Sequence, residues 1–236
     1  MAIRIRHWKR WVALGVVALA LAVVSGPFIY IHFSEGKAPT PLTLSSPAAP
    51  TSGATTGAST STRVTNGTWA VAAGSVVGYR VKEVLFGQSN VAVGRSSSIT
   101  GSITVSGTTI TGGSFTVDMT TVQSDQTRRD DQFNGRIMDT ASYPTGTFVL
   151  TQPISIGTVP ASGVEQTYQA RGNLTLHGTT RAVVFTVKAR FTGSAIQVLG
   201  SIPITFGDWN IPNPSFGPVS TDDHGILEFA VNFVHS

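Results

Sequence analysis

The feature that most constrains the fold is the alternation of apolar and polar residues that begins after Trp69. Short segments rich in Val, Ile, Thr and Phe are separated by Gly, Ser, Asn or Pro, a pattern typical of β-strands. We predict eight strands, at 76–83, 97–106, 109–119, 146–156, 166–176, 180–192, 195–205 and 226–234. About eight strands with one apolar face should either close into a barrel or stack as a sandwich.

Apolar side chains mark one face of most of these segments. They recur at even spacings, namely Val77/Tyr79/Val81, Ile99/Ile103/Val105, Phe115/Val117/Met119, Tyr168/Leu174/Leu176, Val183/Phe185/Val187/Phe191, Ile196/Val198/Ile202/Ile204 and Phe229/Val231/Phe233. The opposite face is largely polar, as Arg171, Asn173 and Lys188 illustrate. Because successive side chains of a strand point to opposite faces, one face of each strand is predicted to be buried.

One segment, residues 124–144, breaks this rhythm. It is rich in charged residues and suits a short helix, which Ser124 or Asp125 can cap and which the Asn-Gly pair ending at Gly135 can terminate. Pro144 then prevents any further helix.

The first 33 residues have the pattern of a membrane signal-anchor. Residues 1–10 carry four Lys or Arg residues, and residues 11–33 are an uncharged stretch that, as a helix, can cross a hydrocarbon core about 30 Å thick. This order predicts a single-pass protein of the cell membrane with a cytoplasmic N-terminus and an extracytoplasmic domain. A cleaved secretory signal, with its site at Val23-Val24-Ser25, is the alternative. The apolar residues that continue to Phe33 favour the anchor, and both interpretations export the domain.

Residues 34–66 separate this segment from the folded part. They are dominated by Ser, Thr, Ala, Pro and Gly, with too few large apolar groups to offset the entropy of ordering, and are predicted to be a disordered linker. The folded domain is therefore assigned to residues 67–236.

The basic isoelectric point, about 9.8, does not indicate a nucleic-acid partner. Of the 16 basic residues, 10 lie in residues 64–236, and 11 of the 12 acidic residues lie in the same range. The folded part is thus close to neutral, so no basic groove for nucleic acid is expected.

Known catalytic and metal-binding patterns are not recognised in the sequence. It has no cysteine, and it lacks the Gly-x-Ser-x-Gly, Ser-x-x-Lys and phosphate-loop motifs. His177 has no evident nucleophile as a partner, and the adjacent side chains of Asp222-Asp223-His224 would point in alternate directions along an extended chain. We therefore predict no enzymatic activity, no metal and no cofactor.

Four motifs, in order along the chain, resemble the YceI-like family of extracytoplasmic lipid-binding proteins over about Thr68 to Phe233. They are Gly74-Ser-Val-Val-Gly-Tyr-Arg-Val81, the block Ser124, Asp125, Arg129 and Asp130 followed by Phe133, Tyr143-Pro144 and Phe148, the stretch Gly172-Asn-Leu-Thr-Leu-His-Gly-Thr-Thr-Arg181, and Phe206-Gly-Asp-Trp-Asn-Ile211. With its predicted anchor the chain is similar to membrane-anchored members from high-GC Gram-positive (actinobacterial) bacteria.

The resemblance implies an all-β fold: an eight-stranded antiparallel, lipocalin-like β-barrel with a short helix, preceded here by the transmembrane helix and linker. It also implies a non-enzymatic protein that holds a long-chain isoprenoid or similar lipid in an apolar lumen. The candidate lumen residues are Tyr79, Val81, Phe115, Val117, Phe148, Tyr168, Leu174, Phe185, Val187, Val198, Phe229 and Val231.

Two questions stay open from the sequence. The protein could instead be a cell-envelope interaction module whose barrel is solidly packed and whose loops, such as 207–224, bind a protein or glycan. An open apolar tunnel would favour the carrier, whereas a lumen filled by aromatic side chains would favour the module. Likewise, Arg129 and Asp130 could contact a ligand head group, but we expect a structural role, either as an ion pair on the helix surface or as a pair that holds the helix to the barrel.

Overall fold

The computed structural model describes residues 5–34, 38–44, 66–85 and 87–236. Its strands in these ranges are β1 (Gly67–Val71), β2 (Val76–Leu85), β3 (Gln88–Ser96), β4 (Ile99–Ser106), β5 (Thr109–Asp118), β6 (Thr145–Leu150), β7 (Ile154–Ser155), β8 (Glu165–Leu176), β9 (Thr179–Phe191), β10 (Ala195–Thr205), β11 (Val219–Thr221) and β12 (His224–His235). The helices are α1 (Ile5–Ser34) and α2 (Thr127–Gln132), and α2 runs into one π-helical turn at Phe133–Ile137.

The strands form one closed antiparallel barrel. Strand β1 pairs with both β4 and β12, which joins the two ends of the sheet. Strands β1 and β2 follow one another along β12 and together make one bent strand, and β3 and β4 do the same beside them. With β5, β6, β8, β9, β10 and β12 this gives eight strands, and the short β7 and β11 pair with β5 and β2. The predicted eight-stranded barrel is confirmed.

Each predicted strand overlaps a strand of the structure, whereas β1, β3 and β11 were not predicted. Strand β3 was missed because its inward positions carry small residues, such as Ala92 and Gly94. The ring of Tyr79 occupies the space beside Gly94, since a Cβ there would lie 2.3 Å from Tyr79 Cε1. A side chain of the neighbouring strand β2 thus covers the inward face of β3. For this reason the sequence of β3 shows no alternation of large apolar residues.

The N-terminal helix and part of the linker lie within the described residues. The side chains of residues 11–23 in α1 are exposed, and none of the helices in the described ranges is both long and apolar enough to cross a bilayer. Residues 1–4 of the predicted basic segment, and residues 35–37 and 45–65 of the predicted linker, lie outside the described residues. Residues 38–44 have no regular secondary structure and are hydrogen-bonded to the outer surface of the barrel.

Candidate functional site

The barrel encloses a cavity of about 810 Å³ with a mainly apolar wall. The structure places all twelve predicted lumen residues around it: Tyr79, Val81, Phe115, Val117, Phe148, Tyr168, Leu174, Phe185, Val187, Val198, Phe229 and Val231. This volume falls in the range of typical ligand pockets, about 300–1,000 Å³. The interior is therefore an open lumen and not a solidly packed barrel.

An aromatic girdle surrounds the lumen. Its ring centroids are separated by 5.7 Å between Phe233 and Phe115, 6.4 Å between Phe115 and Phe148, 5.4 Å between Phe148 and Phe185, and 5.8 Å between Phe185 and Phe229. Most of these contacts are edge-to-face, an arrangement that aromatic pairs favour. Some of these ring contacts join strands that are not adjacent. Phe185 in β9 contacts Phe229 in β12, for example, although β10 lies between these two strands. The rings thus run around the wall and leave space between them.

Inward-facing glycines make room for the aromatic rings. Three such glycines are directly paired across strands with aromatic residues: Gly94 with Tyr79, Gly101 with Phe115, and Gly200 with Phe229. A Cβ on Gly200 would lie 2.4 Å from Cζ of Phe229, so the ring lies where a side chain would otherwise stand. Glycine inside a strand commonly marks such close approach. These glycines were not predicted as site residues, although glycine at an inward strand position is the signal that could have found them.

A buried ion pair holds α2 to one end of the barrel. Glu83 lines the cavity near the end of β2, and its side chain is only 6 % exposed. Its Oε1 lies 3.0 Å from Nη2 of Arg129 and accepts a hydrogen bond of 2.8 Å from Nδ2 of Asn90. Arg129 also contacts Asp125. Arg129 thus joins α2 to the barrel, which is one of the two structural roles expected from the sequence.

The charged block that includes Ser124, Asp125 and Asp130 has a different local effect from the predicted one. Neither Ser124 nor Asp125 is the helix N-cap: that position is Gln126, whose side chain makes no capping bond. Ser124 instead donates hydrogen bonds to Oδ1 of Asp130 from its amide (2.8 Å) and from its hydroxyl (2.6 Å). Helical structure also continues past Gly135 in the π-helical turn, which orients Phe133 so that its ring stacks on Tyr79 at 5.2 Å.

A second set of contacts shapes the mouth of the cavity beside α2. Arg136 donates hydrogen bonds to the carbonyl oxygens of Asn213 (3.1 Å) and Pro214 (2.8 Å) and lies 5.6 Å from the ring centroid of Phe216. Arg136, Pro214 and Phe216 all line the cavity, and Phe216 is 55 % exposed. None of the three was among the predicted lumen residues, because strand periodicity carries no information about residues outside the strands.

Tyr79 places a phenol hydroxyl in the wall of the lumen, close to Glu83 and Arg129. Burial raises the pKa of its phenol, an effect that the nearby Arg129 opposes and Asp130 and Glu83 reinforce. The phenol therefore stays neutral at physiological pH and keeps its hydrogen as a donor.

This raised pKa predicts a loss of stability at alkaline pH. The contribution of Tyr79 is fully present below its unfolded pKa of about 10, and above it the ionised unfolded state gains about 1.4 kcal/mol per pH unit until the folded pKa is reached. We expect the free energy of unfolding, measured in urea, to fall less between pH 9 and pH 11 for Tyr79→Phe than for the wild type. An identical fall in both proteins would assign the alkaline loss to another group.

The other sequence candidates lie away from the lumen wall. His177 occupies the turn between β8 and β9 at a φ of 47°, with its ring 4.5 Å from that of Tyr143. His224 Nδ1 lies 2.7 Å from Asp223 Oδ1. Within the ranges that the structure describes, no three His, Asp or Glu side chains are grouped as a metal site.

The sequence and the fold were compared with those of known proteins. No curated protein matches the sequence. A polyisoprenoid binding domain from Saccharophagus degradans, implicated in plant cell wall breakdown, aligns with a TM-score of 0.58 at 13 % identity, over 73 % of this chain and 100 % of that domain. BcnA from Burkholderia cenocepacia aligns with a TM-score of 0.48 at 20 % identity, over 65 % of this chain and 95 % of that one. The family model of the YceI-like domain matches residues 69–233, nearly the whole barrel. The chain therefore belongs to the YceI-like family.

Proposed function

We propose that this protein is a non-enzymatic carrier that holds a long-chain isoprenoid or a similar amphiphile in the barrel lumen. The observation that carries the proposal is the open apolar cavity of about 810 Å³, ringed by the aromatic girdle. The Saccharophagus degradans domain, described as polyisoprenoid binding, has the same fold and gives further support.

Apolar burial supplies the driving force for such a ligand. Each methylene moved from water into the lumen contributes about 0.8 kcal/mol. A chain that buries on the order of ten methylenes gains about 8 kcal/mol, which corresponds to a roughly micromolar complex before ordering costs are subtracted. No charged contact is required. The neutral phenol of Tyr79 can donate one hydrogen bond to a polar end group of the ligand.

We also propose that the barrel works outside the cytoplasm and that residues 11–33 anchor it to the cell membrane. The support is the sequence, in which a basic segment precedes the uncharged stretch. In intact cells, we expect protease added from outside to digest the barrel, and alkaline carbonate to leave the full-length chain in the membrane fraction. Digestion only after cell lysis would contradict the export of the domain.

The binding proposal is tested directly on the purified full-length protein. We expect organic-solvent extraction followed by mass spectrometry to release a long-chain lipid, and the stripped protein to take up an added isoprenoid quinone in about one-to-one ratio, as a single lumen requires. Quenching of Trp69 and Trp209, the two tryptophans of the barrel, reports the uptake. Absence of both extracted lipid and quinone uptake would overturn the proposal.

A further inference from the structure

The outer surface of the barrel carries a buried acidic side chain. Glu228 in β12 points outward, because its neighbours Leu227 and Phe229 line the lumen, yet only 4 % of the residue is exposed. Its carboxylate lies 3.0 Å from Arg95 Nη2 and 3.6 Å from Arg80 Nη1. The three residues come from the adjacent strands β12, β2 and β3 and form a polar cluster on the outside of the barrel.

Residues 38–44 lie against this cluster. Three hydrogen bonds join them: Arg80 Nη1 donates to the carbonyl oxygen of Pro39 (2.8 Å), Arg95 Nη2 donates to that of Thr40 (2.5 Å), and the amide of Leu42 donates to Glu228 Oε2 (3.4 Å). Each arginine thus binds the carboxylate and a backbone carbonyl of the segment at once. Such charge-assisted hydrogen bonds are stronger than neutral ones.

The local sequence prepares this segment for docking. Pro39 and Pro41 fix their own φ angles and restrict Ala38 and Thr40 to extended backbone. Polyproline-like backbone makes no internal hydrogen bonds, so its carbonyl groups are free to accept from the arginines. The segment therefore loses little conformational entropy when it binds.

Docking changes how far the barrel can lie from α1. The helix ends at Ser34, and the first residue of the segment that is hydrogen-bonded to the barrel is Pro39. Five residue steps span at most about 18 Å, whereas a free linker of about 30 residues has an average extent of about 30 Å and can stretch much further.

We propose that Arg80, Arg95 and Glu228 form a docking site for residues 39–42, and that this strap holds the barrel within about 18 Å of the end of α1. The contacts depend only on the barrel and the segment. Their role rests on the proposed function: with α1 in the membrane, the strap keeps the lumen beside the bilayer, so that a lipid passes between them over a short path.

The test is a distance measurement on the full-length protein in lipid nanodiscs. Because the sequence has no cysteine, spin labels can be placed at Thr43→Cys and at Asn173→Cys, two exposed positions on the strap and on the barrel. Pulsed electron paramagnetic resonance should give one narrow distance distribution. In Pro39→Gly/Pro41→Gly, and in Arg80→Gln/Arg95→Gln/Glu228→Gln, we expect the distribution to broaden, because residue 43 then moves with a free linker.

Proline substitution outside the strap is the matched control. Pro47→Gly/Pro50→Gly removes two prolines downstream of the strap and should keep the narrow distribution. The Pro39→Gly/Pro41→Gly variant leaves the barrel sequence intact, so the test stands even if the triple variant folds poorly. A broad distribution in the parent protein, or one unchanged in the Pro39→Gly/Pro41→Gly variant, would overturn the strap. Quinone uptake by the same samples is a separate readout: a narrow distribution without uptake refutes the carrier and leaves the strap in place.

Discussion

Replacing Gly200 with alanine is expected to narrow the lumen and to weaken the binding of a long-chain ligand by roughly 50-fold. The new Cβ would lie 2.4 Å from Cζ of Phe229, and all three nearest atoms belong to that ring. The ring must therefore move off the wall and into the lumen. If it excludes on the order of three methylenes of the ligand at about 0.8 kcal/mol each, the loss is about 2.4 kcal/mol. Titration of the stripped protein with isoprenoid quinone measures the change in Kd.

Two further variants separate lumen narrowing from general damage. Gly112→Ala adds the same methyl group in β5, where no atom lies within 4 Å of the new Cβ, and should bind like the wild type. In Gly200→Ala/Phe229→Leu the bulky ring is gone, so affinity should largely return. If Gly200→Ala binds normally, or if the double variant is not rescued, the glycines do not keep the lumen open in the way inferred here.

Loss of the Arg129 side chain is expected to destabilise the fold by about 3–5 kcal/mol, because it leaves the buried carboxylate of Glu83 without its cationic partner. Both side chains are largely shielded, with 15 % and 6 % exposure, so solvent screening weakens the pair little. The free energy of unfolding of Arg129→Ala, measured in urea, tests this expectation.

The neighbouring arginine supplies the control. Arg128→Ala changes an exposed side chain of the same helix and should alter stability by no more than about 0.5 kcal/mol. Glu83→Gln combined with Arg129→Ala removes the buried charge and should recover much of the loss. Equal effects of Arg128→Ala and Arg129→Ala would show that the ion pair to Glu83 contributes nothing specific.

The lumen was predictable because it depends on the simplest property of a strand. Side chains alternate between two faces, so the even spacing of Phe185 and Val187 already places both on one side of β9. Once the barrel closes, that side is the interior, and all twelve nominated residues line the cavity. Whether they bind a lipid is a matter for the extraction and uptake experiments.

The alternation did not reveal that the lumen is open. Tyr79 and Phe229 have the same sequence pattern whether their rings fill the interior or lie against the wall. The difference is made by Gly94 and Gly200 on neighbouring strands, and those glycines become partners only through the strand register. A one-residue shift of register would turn the glycines to the other face and leave the rings no recess.

The sequence by itself thus determined most of the strands, their buried faces and the family resemblance, since these follow from short-range periodicity and local motifs. Only the tertiary structure decided the open lumen, the pinning of α2 and the attachment of residues 39–42. The reason is separation along the chain: Arg129 and Glu83 are 46 residues apart, Arg80 and Pro39 are 41 apart, and Leu42 and Glu228 are 186 apart. No local pattern encodes such pairs, and they meet only because the barrel closes and brings β2, β3 and β12 side by side.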